Sequence, residues 1–127
     1  MTVERTIPDP DAVLGVYLTF PERELAEAVA AALVDAGLAA CVNLWSGATS
    51  VYRWEGRTVT EAEVVGWAKT TAARLPALVA AVRERHPYEV PCAVAYPAVG
   101  GFAPYLAWVR AETAEGGAVA GAGEATP

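Results

Sequence analysis

The side chains in this sequence that could do chemistry are Cys41, Lys69, His86, Glu89 and Cys92. Three of them fall in one stretch, RERHPYEVPC over residues 83–92, which holds the only histidine of the chain and prolines at 87 and 91. Neutral imidazole suits copper and zinc, and a thiolate suits Cu(I), so His86 with Cys41 or Cys92 is a candidate metal set. A structural zinc site asks for about four ligands. One histidine and two cysteines far apart in sequence do not supply them from one chain, so such a site would have to be shared between subunits. Lys69, at the end of an apolar segment, reads equally as a solvated charge or as a group that pairs with Glu89 or points into a cleft between subunits, where a small anionic ligand could meet it.

A thiol nucleophile with His86 as its base would make an enzyme, but that chemistry needs a third, orienting group and donors for a developing oxyanion. Neither is recognisable, and no Gly-rich phosphate loop is present. The expectation is a protein without catalytic activity.

The elements that must hold these residues follow from periodicity. AVLGVYLTF (12–20) is apolar on both faces and reads as a buried strand closed by Pro21. PERELAEAVAAALVDAGL begins with proline and acids and ends at Gly37, as a helix does, with Leu25, Ala28, Val29, Ala32, Leu33 and Ala36 on one stripe. AACVNLWSGATSVYRW and RTVTEAEVVGWAKT flank Glu55-Gly56, which suits a tight hairpin, with a turn one residue either way fitting as well, and Gly47 and Gly66 suggest bulges or kinks in the arms. Alternation in AACVN places Cys41 opposite Val42 and Leu44, as a small core or interface residue.

TTAARLPALVAAVRERH carries Leu75, Leu78, Val79 and Val82 at helical spacing, a threonine N-cap at Thr70 or Thr71, and positive charge in its last turn. Pro87 stops it. YEVPCAVAYP (88–97) then reads as a strand that Pro91 pushes to an edge or a bulge, and APYLAWVRAE as a final helix; Tyr88, Tyr105 and Trp108 serve packing.

Strand, helix, long hairpin, helix, strand, helix is the order of an α+β, ferredoxin-like split βαβ sandwich. Residues 1–10 read as a loose arm, 11–113 as the domain and 114–127 as a disordered Gly/Ala-rich tail. At 127 residues and 54% hydrophobic the chain supports one core. A formal net charge of −6 without a basic run excludes a nucleic-acid partner. No segment approaches the roughly 20 apolar residues of a membrane span, and no basic leader precedes the first apolar run, so a cytoplasmic protein is expected.

The hairpin arms carry a further consequence. Fifteen or so residues per arm reach roughly 50 Å, whereas a domain of this size is about 35 Å across. A tip bearing Trp45, Val51, Tyr52, Trp54 and Trp67 would project and leave an apolar patch bare, which predicts a homo-oligomer joined through the hairpins.

AACVN (39–43), GATSVYRWEG (47–56), KT (69–70), HPYEVP (86–91) and YLAWV (105–109), in this order, resemble the CutA divalent-cation tolerance family over about residues 12–112. The resemblance implies a ferredoxin-like subunit in a tight, PII-like homotrimer and a role in tolerance of copper and other divalent metals. It also implies, for animal members, the anchoring of a membrane cholinesterase. Some bacterial members are thought to bind copper through a cysteine and two histidines; the matching positions here are Leu18, Arg85 and His86, so one of three remains. The family's usual glutamate after VP is Cys92 in this chain. Beside the metal reading, the PII-like architecture implies a regulatory module that takes a small anionic ligand near Lys69, or a scaffold for a protein partner.

Overall fold

The computed structural model describes residues 3–4 and 9–115, so most of the expected arm and tail lies outside the described residues. The strands are β1 (Val13–Phe20), β2 (Cys41–Trp54), β3 (Arg57–Thr71) and β4 (Ala93–Pro97). The helices are α1 (Arg23–Asp35), α2 (Leu75–Arg85), preceded by a 3-10 turn at Ala72–Arg74, and α3 (Ala103–Glu112). The sheet runs β2-β3-β1-β4 with every neighbouring pair antiparallel. That order, with one helix between β1 and β2 and another between β3 and β4, is the ferredoxin-like split βαβ arrangement.

β1 lies between β3 and β4, pairing Val16 with Ala68 on one side and with Ala95 on the other. Leu14, Val16, Leu18 and Phe20 point to the helical layer and meet Ala26, Val29 and Leu33 of α1 and Leu78 and Val82 of α2. The buried stripe of α1 therefore runs through Ala26, whereas the expected Ala28 and Ala36 are exposed. In a helix this rich in alanine, small residues mark no face, and only the contacts of Val29 and Leu33 fix its rotation. α1 ends as expected, with Gly37 at φ 70° and the Leu38 amide donating to the Leu33 carbonyl at 2.9 Å.

The hairpin turns at Glu55-Gly56, both at positive φ (50° and 79°), between paired Trp54 and Arg57. Consecutive left-handed residues are the signature of a type I′ turn, whose twist matches the flanking strands. One expected bulge is found: the register shifts between Trp45 and Ala48, around Gly47 at φ 91°. Gly66 is no bulge. It sits in regular register, and a Cβ there would press on Leu44 and Phe20 at 3.2 Å, so its bareness makes room for core side chains.

Two further expectations are corrected. Neither Thr70 nor Thr71 caps α2 with its side chain; Thr71 precedes the 3-10 turn without such a bond, and Thr70 donates to the Leu38 carbonyl at 2.7 Å. β4 holds only residues 93–97, because Pro87 and Pro91 bring no amide hydrogen and residues 87–92 form an irregular connection instead. It does lie at the sheet edge.

α3 packs on the opposite side of the sheet, where Val109 meets Val13 and Ala40 beside Tyr105, Leu106 and Trp108. Most of that second face is bare of any described element. Tyr17, Trp67 and Tyr96 line it, Trp67 stacking on Tyr96 at 5.9 Å and meeting Tyr17 edge-on at 6.4 Å. The Trp67 ring lies directly over Gly15, where any Cβ would fall inside it. Trp67 thus belongs to the sheet face and not to the projecting tip. β1 pairs β3 only from Val64 to Thr71, so the hairpin from Ala48 to Glu63 runs on beyond the strand that would flank it. Seven residues of β2 at about 3.4 Å each give roughly 24 Å of overhang. Val51, Tyr52 and Trp54 stand exposed on it.

Candidate functional site

His86 occupies the C-cap of α2 and is 8% exposed. Its Nε2 lies 2.7 Å from the Thr19 carbonyl oxygen, and the Tyr88 amide points at Nδ1 from 3.2 Å. A carbonyl only accepts and an amide N–H only donates, so the ring carries its hydrogen on Nε2 and offers Nδ1 as acceptor. Phe20 stacks on one side at 5.4 Å and Tyr88 leans on the ring at 4.6 Å. Both nitrogens are thereby engaged, and a metal would have to displace one of these bonds.

Cys41 begins β2, pairing with Lys69, whereas Cys92 precedes β4 at the other edge of the sheet. The two thiols are free and stand at different edges. Burial pushes the Cys92 thiol up, Glu63 pushes it further, and a contact with Thr19 opposes this only in part. A raised thiol is a poorer source of the thiolate that binds metal. Among the described residues no three or more histidine, cysteine or acidic side chains gather closely enough to hold an ion. Leu18, which the resemblance sets at the place of a proposed copper-binding cysteine, is buried in the core, and Arg85 reaches back to the Ala81 carbonyl at 3.3 Å. The described residues of one chain do not make a complete metal site.

Lys69 does not pair with Glu89. Its Nζ donates to Asn43 Oδ1 at 2.7 Å, lies 3.8 Å from Cys41 Sγ and stands 5.8 Å from the centre of the Tyr105 ring. The Tyr105 hydroxyl lies 3.4 Å from Cys41 Sγ, and burial first, with the Cys41 contact second, pushes its pKa to about 12. These residues form a compact cluster at the α3 end of the bare face, with a lysine that has no carboxylate partner among the described residues.

Sequence reasoning missed the other end of that face. There an open cavity of about 740 Å³ is walled by β1, by the overhanging hairpin and by the 88–92 segment, Glu89 included. Glu63, 8% exposed, accepts a hydrogen bond from the Tyr88 hydroxyl at 3.0 Å, and the Tyr52 hydroxyl donates to Glu61. Burial, and then the bond to Glu63, raise Tyr88 to about 12. The signal in the sequence was the alternation of Glu61 and Glu63 on a strand already assigned to the hairpin.

The comparisons with known proteins agree with this architecture. A family model described as CutA1 divalent ion tolerance protein matches residues 14–112. The divalent-cation tolerance protein CutA of Thermus thermophilus is 45% identical over 98 residues, 77% of this chain and 95% of that protein. Human protein CutA is 42% identical over 104 residues; these cover 82% of this chain but 58% of the human protein, so the chain spans little more than half of that relative's length. A solved structure of the divalent cation tolerance protein from Thermus thermophilus superposes with a TM-score of 0.79 at 44% identity, over 80% of this chain and 98% of that one. Sequence, topology and superposition together place this chain in the CutA1 divalent ion tolerance family.

Proposed function

We propose that this chain acts in tolerance of divalent cations, copper among them, as a homotrimer. The observation that carries the assembly is the bare sheet face, on which Tyr96 is 51% and Val94 47% exposed, continuous with an overhanging hairpin whose Trp54 is 44% exposed. Patches of this kind on a small domain mark interfaces. Three copies turning these faces inward, with each hairpin extending a neighbour's sheet, would cover them.

Metal contact, in this reading, uses donors from more than one subunit. The support is that one subunit has few donors to spare: His86 is spent on Thr19 and Tyr88, and the two thiols stand at different edges. The protein is taken to be non-catalytic, since the family is named for tolerance and not for a reaction. No described helix is long and apolar enough to cross a membrane. Free thiols at both cysteines suit the reducing cytoplasm, where the reading places the protein.

Growth of host cells lacking the gene, in rising copper or zinc, tests this. Loss should lower the tolerated concentration, the full chain should restore it, and a chain with residues 50–61 cut to a short turn should not. Full restoration by the truncated chain would contradict the proposal. A second reading is favoured by Lys69, a half-buried cation without a carboxylate partner among the described residues: a PII-like module taking a small anionic ligand there. Weakened carboxylate or nucleotide binding in Lys69→Ala would favour it.

A further inference from the structure

A hairpin laid along the free edge of a neighbour's sheet must bring its tip against something on that neighbour. β4 is an outer strand beside β1, and its Ala93 pairs with Leu18. The 88–92 segment therefore continues that edge towards the end of the sheet where the subunit's own hairpin overhangs. Between this segment and the hairpin lies the cavity of about 740 Å³. Its walls are mixed, with Thr19 beside Val51 and Val90, but its charge is one-sided. Glu61, Glu63 and Glu89 line it, and no lysine, arginine or histidine among the described residues does. Open in a single chain, the cavity lies on the face that the homotrimer covers, so its occupant is part of a second copy.

We propose that the occupant is the hairpin tip of the next subunit, with its Arg57 set against Glu89 and Glu61 of the cavity; the inference rests on the homotrimer proposed above. The tip overhangs its own sheet by roughly 24 Å, so it can enter another copy without either domain changing shape. Arg57 and Glu89 are both exposed, and neither forms an ion pair among the described residues. Glu61 accepts a bond from the Tyr52 hydroxyl, which leaves its carboxylate further acceptor positions for a guanidinium. A guanidinium is weakly hydrated and meets a carboxylate with two parallel bonds, which suits a contact that loses water on assembly. Arg57 pairs across the turn with Trp54 and so shares its face of the hairpin. That face offers apolar surface and positive charge together, as the cavity offers apolar walls and carboxylates. The 98–102 loop, with Val99 and Phe102 exposed, carries no charge and would leave the carboxylates unanswered. A tip in the next subunit's cavity is a head-to-tail contact, and three of them close into a ring.

Sedimentation velocity of the full-length protein in rising urea tests the proposal, with far-UV circular dichroism to confirm that each variant is folded. Arg57→Glu should lower the urea concentration at which trimers give way to monomers by roughly 1 M. Arg53→Glu makes the same change of charge on the other face of the hairpin, where Arg53 pairs with Thr58, and should lower it much less. Glu89→Arg alone should weaken the trimer, and joined to Arg57→Glu it should restore most of the loss. Should Arg57→Glu fail to fold, Glu89→Arg, on a different segment, decides. An unchanged midpoint in Arg57→Glu and Glu89→Arg would overturn the docking and leave the trimer standing. Equal losses in the two arginine variants would mean general repulsion between acidic subunits, and a loss in Arg57→Glu that Glu89→Arg does not restore would place the tip elsewhere. Either result overturns the proposal, as does dissociation by Phe102→Ser with none by Arg57→Glu. A wild-type monomer would overturn the docking and the trimer together, so the two failures are distinguishable.

Discussion

His86 shows how a residue type with ligand chemistry becomes a structural bolt. Its ring ties the end of α2 to the Thr19 carbonyl and lies between Phe20 and Tyr88. His86→Phe keeps the stacking volume and removes both bonds, leaving a carbonyl and an amide unpaired. A loss of about 2 kcal/mol in the urea unfolding free energy is expected, with copper and zinc retention of the assembled protein unchanged. The end of α2 at Pro87 was readable in the sequence, but the partner of His86 is 67 positions away and no local pattern names it.

Tyr88 gives a pH prediction with a defined sign. Its folded pKa is raised from 10.0 to about 12, by burial first and by the Glu63 bond second. The folded state therefore holds the phenolic proton more tightly than the unfolded chain. The stabilisation is fully present below pH 10 and is lost as pH rises towards about 12. Tyr105 shifts in the same direction and contributes to the same window. Urea midpoints measured across it should fall, and less steeply in Tyr88→Phe. An equally steep fall in that variant would assign the effect elsewhere.

At the scale of elements, the hairpin was the most legible part of the molecule and the fourth strand the least. A type I′ turn asks for two left-handed residues; Gly56 meets that demand freely and Glu55 adopts φ 50° beside it, and the turn is found there. Gly56→Ala should cost about 1 kcal/mol in urea unfolding, because φ 79° is strained for any Cβ. β4 is shorter than its apolar pattern because two missing amide hydrogens outweigh β propensity. Gly15 has no signal in its own neighbourhood; only the Trp67 ring lying over it, from a strand paired in register, explains it. Gly15→Ala must push that ring off Tyr96. A loss of about 1–3 kcal/mol is expected, with a changed tryptophan near-UV circular dichroism spectrum; an unchanged spectrum would show that the stack does not hold the face.

For the whole molecule, periodicity and element order were enough to give the ferredoxin-like sandwich, since each apolar face had one plausible layer to cover. What they could not give was the far side of the sheet. Residues such as Tyr17, Trp67, Val94 and Tyr96 alternate correctly with the core, and nothing in alternation says whether the second face meets solvent, another element or another copy. The cavity was equally hidden, since its walls come from three stretches far apart in sequence. Cutting residues 50–61 to a short turn should leave a monomer or an aggregate, and an intact trimer would remove the hairpin from the assembly. The trimer and its shared metal contact are tested most directly by a native mass spectrum of the reduced full-length protein, recorded with and without added copper and zinc. A trimer is predicted before any metal is added, with ions bound in a number fixed per trimer and none held by a dissociated subunit. A monomer, or one ion held by each isolated subunit, would contradict this.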